Sequence, residues 1–302
     1  MIALSGADLV LPDRVLTRGS IVMDGGRIAA IEARAIDAGS NLTVVDVSNH
    51  TIVPGFIDVH LHGIEDIDVL DGPDAVDAVA SRLPRYGVTA FCPTSIACTP
   101  QRLTTLLDAV TRARSAARSA GSARVLPAHL ESNFINPEWS GAQPVHCLRT
   151  YKSHGRRPEG DFAGHEILQA IVSHRSSVGI VTIAPELSGG LDLVRDLVIA
   201  GHRVSLGHTG ATYEEARAAI AAGALSASTN HAPPAAATSS STAFTRRGPK
   251  RSIATPTGSW QKVKEKKYML ESSPSPPAER PNSAASVGAS TAFTMRYTYE
   301  TK

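Results

Sequence analysis

The sequence predicts an α/β fold whose strands form a parallel sheet or barrel, preceded by a small all-β segment. Residues 57–224 alternate short apolar runs with helical segments, which is the order expected when successive strands lie parallel. Residues 1–53 instead contain short β-type runs separated by turns. One of these turns, Asp24-Gly25-Gly26, is typical of a hairpin. We therefore expect a first domain at 1–53 and a second at 54–224.

Each element follows from a local pattern. In the first domain, strands are expected at the aliphatic runs 7–11, 20–23 and 27–31. In the second, strands are expected at the apolar runs 56–61, 88–94, 124–130, 178–183 and 204–206. Helices are expected between them, at 74–86, 101–120, 164–173, 191–200 and 212–222. Gly87 ends the first helix, and Thr212 with Glu215 three residues later forms a capping box at the start of the last.

Composition limits the class of protein. The chain has 302 residues, 42% of them hydrophobic, and its formal net charge of +2 gives no reason to expect nucleic acid as a partner. Its apolar stretches fall short of the roughly 20 residues that a membrane span needs, and its N-terminus lacks the features of a signal peptide. The three cysteines show no C-x-x-C spacing, which favours reduced thiols and a cytoplasmic location.

The strongest chemical signal is the segment P-G-F-I-D-V-H-L-H-G at residues 54–63. A turn leads into a short strand, from which Asp58, His60 and His62 point to one face because side chains alternate along a strand. Two imidazoles at this spacing can bind one metal ion, and such ligands lie where a strand ends at an open cavity. The alternative is a pair of chance histidines near a turn.

This segment resembles the first-strand signature of the amidohydrolase superfamily, which comprises metal-dependent hydrolases built on a (β/α)8 barrel. Further segments narrow the resemblance to the N-acetylglucosamine-6-phosphate deacetylase family, and they lie at 129–131, 134–137, 184–186 and 207–209. The similarity extends from the N-terminus to about Ala224. It implies an incomplete (β/α)8 TIM-type barrel at 54–224 and a β-sandwich segment at 1–53, which in this family is completed by strands from the C-terminal end.

The resemblance also implies a metal site and a reaction. Its metal ligands would be four side chains that bind one or two divalent ions, with zinc expected: His60, His62, Glu131 and His208. Taken singly, Glu131 is better explained as a solvated loop residue, and His208 is equally a ligand or a satisfied polar residue at a strand end. The first lysine of the chain is Lys152, in a polar loop, so Glu131 is a better bridging ligand than a carboxylated lysine. The implied reaction is hydrolysis of the acetamide of N-acetylglucosamine 6-phosphate, and the implied assembly is a homodimer.

Two positions depart from the family pattern in ways that affect substrate binding. Gln143 occupies the place of a histidine that contacts substrate in the family, and its amide can hydrogen-bond a sugar hydroxyl but carries no charge. Further on, the family has another ligand histidine where this chain has Thr229. His231, two residues later, is a weak candidate for that role or for substrate contact, and a surface histidine is the alternative.

Sequence character changes after Ala224. Residues 232–302 carry 11 Lys or Arg and 4 Asp or Glu, whereas residues 1–231 carry 19 and 24. The segment is rich in Pro, Ser, Thr and Ala, which predicts a low-order tail at 225–302. The family's strand-8 aspartate, its general base, has no counterpart, since no aspartate follows Asp196. We therefore identify no catalytic base.

Three hypotheses remain open at this stage. The first is an active deacetylase of an amino-sugar phosphate. The second is a truncated or frameshifted, inactive fragment of such an enzyme, because the change after Ala224 coincides with the loss of the expected ligand and base. The third is a metal-binding or partner-binding module with a basic tail, which depends only on the cluster at 262–267.

Overall fold

The structure is a computed structural model, and it describes residues 1–39, 41–116, 121–151 and 162–227 together with the backbone of 293–295. The chain forms two compact units. Of the described residues, the first unit contains Met1–Ile57, Leu83–Ala90 and the strand at 293–295, and the second contains Asp58–Arg82 and most of Phe91–Ala227.

The first unit is built on one sheet. Its strands are β1 (Ile2–Val10), β2 (Val15–Asp24), β3 (Arg27–Glu32), β4 (Thr43–Asp46) and β5 (Thr51–Pro54). β1 lies between antiparallel β2 and parallel β4 and β5. Alternate residues of β1 are buried, and Leu9 packs with Ile21 and Ile52 in a small apolar core.

The predicted hairpin is present between β2 and β3. Asp24 pairs with Arg27, so Gly25 and Gly26 form a two-residue turn. Both glycines have positive φ, 53° and 78°, which a type I′ turn requires and which glycine adopts without steric cost.

The second sheet is a parallel half-barrel, as predicted. Its strands are β6 (Phe56–Leu61), β9 (Val88–Ser95), β10 (Arg124–Val125), β11 (Ala128–Leu130), β12 (Val178–Ile183), β13 (Arg203–Leu206) and β14 (Ser226–Ala227). The order is β10-β9-β11-β12-β13-β14, and β6 pairs with β9. β11 pairs in parallel with β9 on one side and with β12 on the other. The pairs β12–β13 and β13–β14 are also parallel. A small hairpin of β7 (Gly63–Ile64) and β8 (Ile67–Asp68) follows β6 directly.

The helices of this unit are α1 (Ala75–Arg82), α2 (Pro100–Ser115), α3 (Gly164–Ser173), α4 (Gly190–Ile199) and α5 (Tyr213–Ala221). The capping box at Thr212 and Glu215 is formed as predicted. The first helix is shorter than predicted, because its last four residues, Leu83–Tyr86, form a 3-10 helix that contains Pro84. Gly87 follows with a φ of 79°.

One prediction about strands needs correction. The run at 124–130 is two strands rather than one, because Pro127 has no backbone N–H to donate to a ladder. Within the segment predicted to be poorly ordered, Ser226–Ala227 pairs with β13, and β15 (Phe293–Met295) pairs in parallel with β5. The rest of 225–302, including the basic cluster at 262–267, lies outside the described residues. No helix among the described residues is long and apolar enough to cross a membrane.

Candidate metal centre

The two histidines of the H-x-H segment meet at the end of β6. Their Nε2 atoms lie 3.2 Å apart, and their rings are perpendicular with centroids 4.9 Å apart. Nδ1 of His62 lies 2.9 Å from the carbonyl oxygen of Thr94. Because a carbonyl only accepts, Nδ1 of His62 must carry the hydrogen, which leaves the lone pair of a neutral ring on Nε2.

Gly63 is required immediately after these two histidines. A Cβ at this position would lie 2.0 Å from the carbonyl oxygen of Ile67 and 2.9 Å from Cα of Asp68, both backbone atoms of the hairpin β7-β8. The glycine therefore permits the chain to turn into this hairpin directly behind His62.

Glu131 follows β11 and lies at the centre of the site. Its side chain is 7% exposed. Oε1 lies 3.4 Å from Nε2 of His60, and Oε2 lies 3.3 Å from Nε2 of His62. Ligand atoms of His60, His62 and Glu131 all lie within 4.8 Å of one another. The parallel half-barrel produces this meeting, because the carboxyl ends of its strands share one edge.

His208 approaches Glu131 from the end of β13. Its Nε2 lies 3.0 Å from Oε1 of Glu131, and its Nδ1 lies 3.0 Å from the carbonyl oxygen of Trp139. The tautomer is thus fixed in the same way as that of His62. The backbone of His208 has a φ of 50°, a left-handed conformation that costs a non-glycine residue about 1–3 kcal/mol.

Glu186 holds the loop that carries His208. Its carboxylate accepts hydrogen bonds from the hydroxyl of Thr209, from N of Gly210 at 2.7 Å and from Nδ2 of Asn136 at 2.9 Å. The sequence resemblance includes Glu186 without giving it a role. Its contacts join segments up to 50 residues apart, so no local pattern could have revealed them.

His129, two residues before Glu131, is a second neighbour that the sequence did not assign. Nδ1 donates to the carbonyl oxygen of Val59 at 3.0 Å, and Nε2 accepts from the hydroxyl of Thr182 at 2.8 Å. Its ring contacts that of His60 edge to face, with centroids 4.9 Å apart. Burial, reinforced by the charge of His60, lowers the pKa of His129 to about 4, so this ring is neutral at physiological pH.

The ionisation of the site centres on Glu131. Burial alone would raise the pKa of this carboxyl, but hydrogen bonds with His208 and His62 bring it well below its usual value. Burial lowers the pKa of His60. Burial also opposes the charge on His62 and His208, yet the hydrogen bonds and charge of Glu131 raise the pKa of both above the usual value.

The donor set fits a divalent cation. In the neutral tautomers, the Nε2 lone pairs of His62 and His208 point at an ionised carboxylate, which is a repulsive arrangement unless a positive charge lies between them. A proton on either ring relieves the repulsion, which agrees with the direction in which Glu131 raises the pKa of both rings against the opposing effect of burial. A divalent ion relieves it at all the donors together, and imidazole nitrogen with carboxylate oxygen is a zinc-type ligand set.

The structure thus brings together most of the residues singled out in the sequence. His60, His62 and Glu131 form one cluster, and His208 joins it through Glu131. Gln143 is buried beside Glu131, at 2.5 Å from its Oε2. Thr229 and His231 lie outside the described residues.

Known proteins resemble the chain over most of its length. N-acetylglucosamine-6-phosphate deacetylase of Mus musculus is 32% identical over 225 residues, which are 73% of this chain and 51% of the mouse protein. N-acetylgalactosamine-6-phosphate deacetylase of Escherichia coli O157:H7 is 33% identical over 201 residues, which are 66% of this chain and 48% of the bacterial protein. No family model matches. The chain spans about half the length of the curated relatives that it matches.

Solved structures agree with the sequence relatives. The crystal structure of N-acetyl-D-glucosamine-6-phosphate deacetylase from Mycobacterium smegmatis superposes with a TM-score of 0.60 at 27% identity, covering 75% of this chain and 55% of that one. About three quarters of the chain therefore carries the sequence and the fold of the N-acetylglucosamine-6-phosphate deacetylase family of amidohydrolases, as a partial match to its members.

Proposed function

We propose that the chain binds a divalent ion, zinc in the first instance, through His60, His62 and Glu131, with His208 as a further ligand. The convergence of these side chains carries the proposal, since three imidazole Nε2 atoms lie 3.0–3.4 Å from the oxygens of one buried carboxylate.

We further propose that this site hydrolyses the acetamide of an N-acetylated hexosamine 6-phosphate, giving acetate and the free amine. A divalent ion supplies a Lewis acid that activates water and polarises the acyl carbonyl. The residues of the chain supply the rest: Glu131 provides the fixed negative charge that holds the cation, while the backbone carbonyls of Thr94 and Trp139 hold His62 and His208 in the required tautomers.

The substrate class comes from the names of the relatives, which include deacetylases of both N-acetylglucosamine 6-phosphate and N-acetylgalactosamine 6-phosphate. We propose N-acetylglucosamine 6-phosphate as the substrate, in amino-sugar catabolism. Gln143 lies next to Glu131, and we propose its second amide hydrogen as a donor to a sugar hydroxyl. His231 is the other proposed substrate contact.

The setting of this activity is also a proposal. The three cysteines are free and buried, which suits a reducing compartment, and we propose a cytoplasmic homodimer without a nucleic-acid partner.

A second function is favoured by two specific features of the sequence. Thr229 stands where the family has a ligand histidine, and no aspartate follows Asp196 to act as the strand-8 base. The alternative is therefore a chain that binds the ion through His60, His62 and Glu131 without turning over an acetylated sugar.

Acetate release separates the two functions. The purified full chain, loaded with zinc, is incubated with N-acetylglucosamine 6-phosphate and, in parallel, with N-acetylgalactosamine 6-phosphate, and acetate is measured by a coupled assay. The deacetylase proposal expects acetate from the first sugar phosphate and none from the His60→Ala variant. Bound zinc without acetate from either sugar phosphate supports the alternative.

A further inference from the structure

Gln143 makes two hydrogen bonds that link Glu131 to a neighbouring loop. Its Oε1 accepts from the backbone N of Ala97 at 2.7 Å, and its Nε2 donates to Oε2 of Glu131 at 2.5 Å. Gln143 is only 6% exposed and Glu131 only 5%, so water competes little for either bond.

The orientation of the Gln143 amide is fixed by its two partners. The N–H of Ala97 can only donate, and an ionised Glu131 can only accept. Exchanging the amide oxygen and nitrogen would place two donors against each other at Ala97 and two acceptors against each other at Glu131. The amide therefore has one satisfied orientation, and this orientation directs an N–H at the carboxylate.

The two oxygens of Glu131 consequently have different surroundings. Oε2 receives the amide hydrogen of Gln143 and lies 3.3 Å from His62. Oε1 faces His60 at 3.4 Å and His208 at 3.0 Å. Rotation of the carboxylate about the Cγ–Cδ bond of Glu131 would break the hydrogen bond from Gln143. The same rotation would move an oxygen away from the imidazole that it now faces.

We infer that Gln143 is a positioning residue for the metal centre, which fixes the rotation of the Glu131 carboxylate so that Oε1 is presented to His60 and His208 while Oε2 stays beside His62. This inference rests on the proposed metal site, and it assigns to Gln143 a role beyond contact with a sugar hydroxyl. The Gln143 amide is itself held by the backbone N–H of Ala97, in the loop that follows β9. The side-chain amide of Gln143 therefore connects this loop to the proposed ligand Glu131.

Zinc affinity of a Gln143 variant tests the inference. Gln143→Met keeps an unbranched side chain of similar length and removes both hydrogen bonds. Hydrogen-bonded neighbours of metal ligands typically account for 10–100-fold in affinity, and we expect a loss in that range. The measurement is a competition titration of the metal-free full chain against a chromophoric chelator. The absorption spectrum of bound Co²⁺ is also expected to change, because the geometry of the carboxylate ligand changes.

Asn133→Leu is the matched control. Asn133 is also a buried amide, 2% exposed, but its Nδ2 donates to the backbone carbonyls of Cys98 and Cys147 rather than to a proposed ligand. We expect this variant to lose thermal stability and to keep wild-type zinc affinity and the wild-type Co²⁺ spectrum. If Gln143→Met does not fold, Gln143→Asn replaces it, since the shorter amide cannot span Ala97 and Glu131 together.

The outcomes distinguish this inference from the proposed function. Zinc affinity of Gln143→Met within twofold of the wild type overturns the positioning role, as does an equal loss in Asn133→Leu. Failure of the wild type to bind zinc overturns the metal site itself. Wild-type zinc binding that depends on Gln143, without acetate release, overturns only the deacetylase proposal.

Discussion

Removal of the Glu186 carboxylate should loosen the loop that carries His208 and weaken metal binding. In Glu186→Ala, the hydroxyl of Thr209, N of Gly210 and Nδ2 of Asn136 all lose their acceptor. Hydrogen bonds to a charged group are each worth about 1.5–3 kcal/mol. Gly210 is exposed and can bond to water instead, so we expect a total loss of about 2–4 kcal/mol in the free energy of unfolding.

Glu186→Ala should also alter the backbone conformation of His208. The left-handed conformation at φ 50° persists only while its surroundings impose it, and Glu186 bonds the two residues that follow. Once released, His208 is free to leave Oε1 of Glu131, and zinc affinity should fall about 10–100-fold. Glu186→Gln keeps the shape and one acceptor oxygen, so its effects should lie between those of wild type and Glu186→Ala.

Two measurements test the prediction for Glu186. Urea unfolding of the metal-free chain gives the loss in stability, and competition titration with a chelator gives the zinc affinity. The order expected in both is wild type, Glu186→Gln, Glu186→Ala. Wild-type zinc affinity in Glu186→Ala would refute the coupling between the carboxylate and His208, even with a stability loss of the expected size.

Three further changes have defined outcomes. Gly63→Ala should lower the thermal midpoint and zinc affinity, because its Cβ would meet the carbonyl oxygen of Ile67, whereas Gly39→Ala, with nothing within 4 Å, should change neither. The three buried thiols should stay unreactive toward a disulfide reagent at pH 8 until denaturant is added, since burial raises the pKa of Cys98 to about 12, and fast native labelling would contradict this. Burial lowers the pKa of His202, so the folded chain binds fewer protons there than the unfolded chain, and unfolding free energy should fall below about pH 6.5 by up to about 1.4 kcal/mol per pH unit. His202→Gln should remove this part of the slope in urea titrations at pH 7.5 and 5.5, and an unchanged slope opposes the assignment.

Much of the second unit was predictable because each element has a local signal. The strand at 178–183 and the helix at 164–173 were predicted with the same bounds that the structure gives. The placement of His60, His62, Glu131 and His208 at strand ends followed from the alternation of strand and helix, since the carboxyl ends of parallel strands share one edge.

Other features of the site lie beyond sequence reasoning for physical reasons. Gln143 and Glu131 are 12 residues apart, and Glu186 and Asn136 are 50 apart, so their hydrogen bonds exist only after the loops have packed. The left-handed backbone conformation at position 208 could not be predicted, because a histidine and not a glycine occupies this position. The division of the strand at Pro127 was readable in principle, because proline lacks the ladder donor.

The ligand set of bound zinc tests the central claim most directly. X-ray absorption at the zinc edge of the loaded full chain should show a shell of nitrogen and oxygen at about 2.0–2.2 Å, with scattering from at least two imidazole rings. His60→Ala should remove one imidazole from that shell. A sulfur shell at about 2.3 Å, or a spectrum unchanged in His60→Ala, would contradict a metal centre at His60, His62 and Glu131.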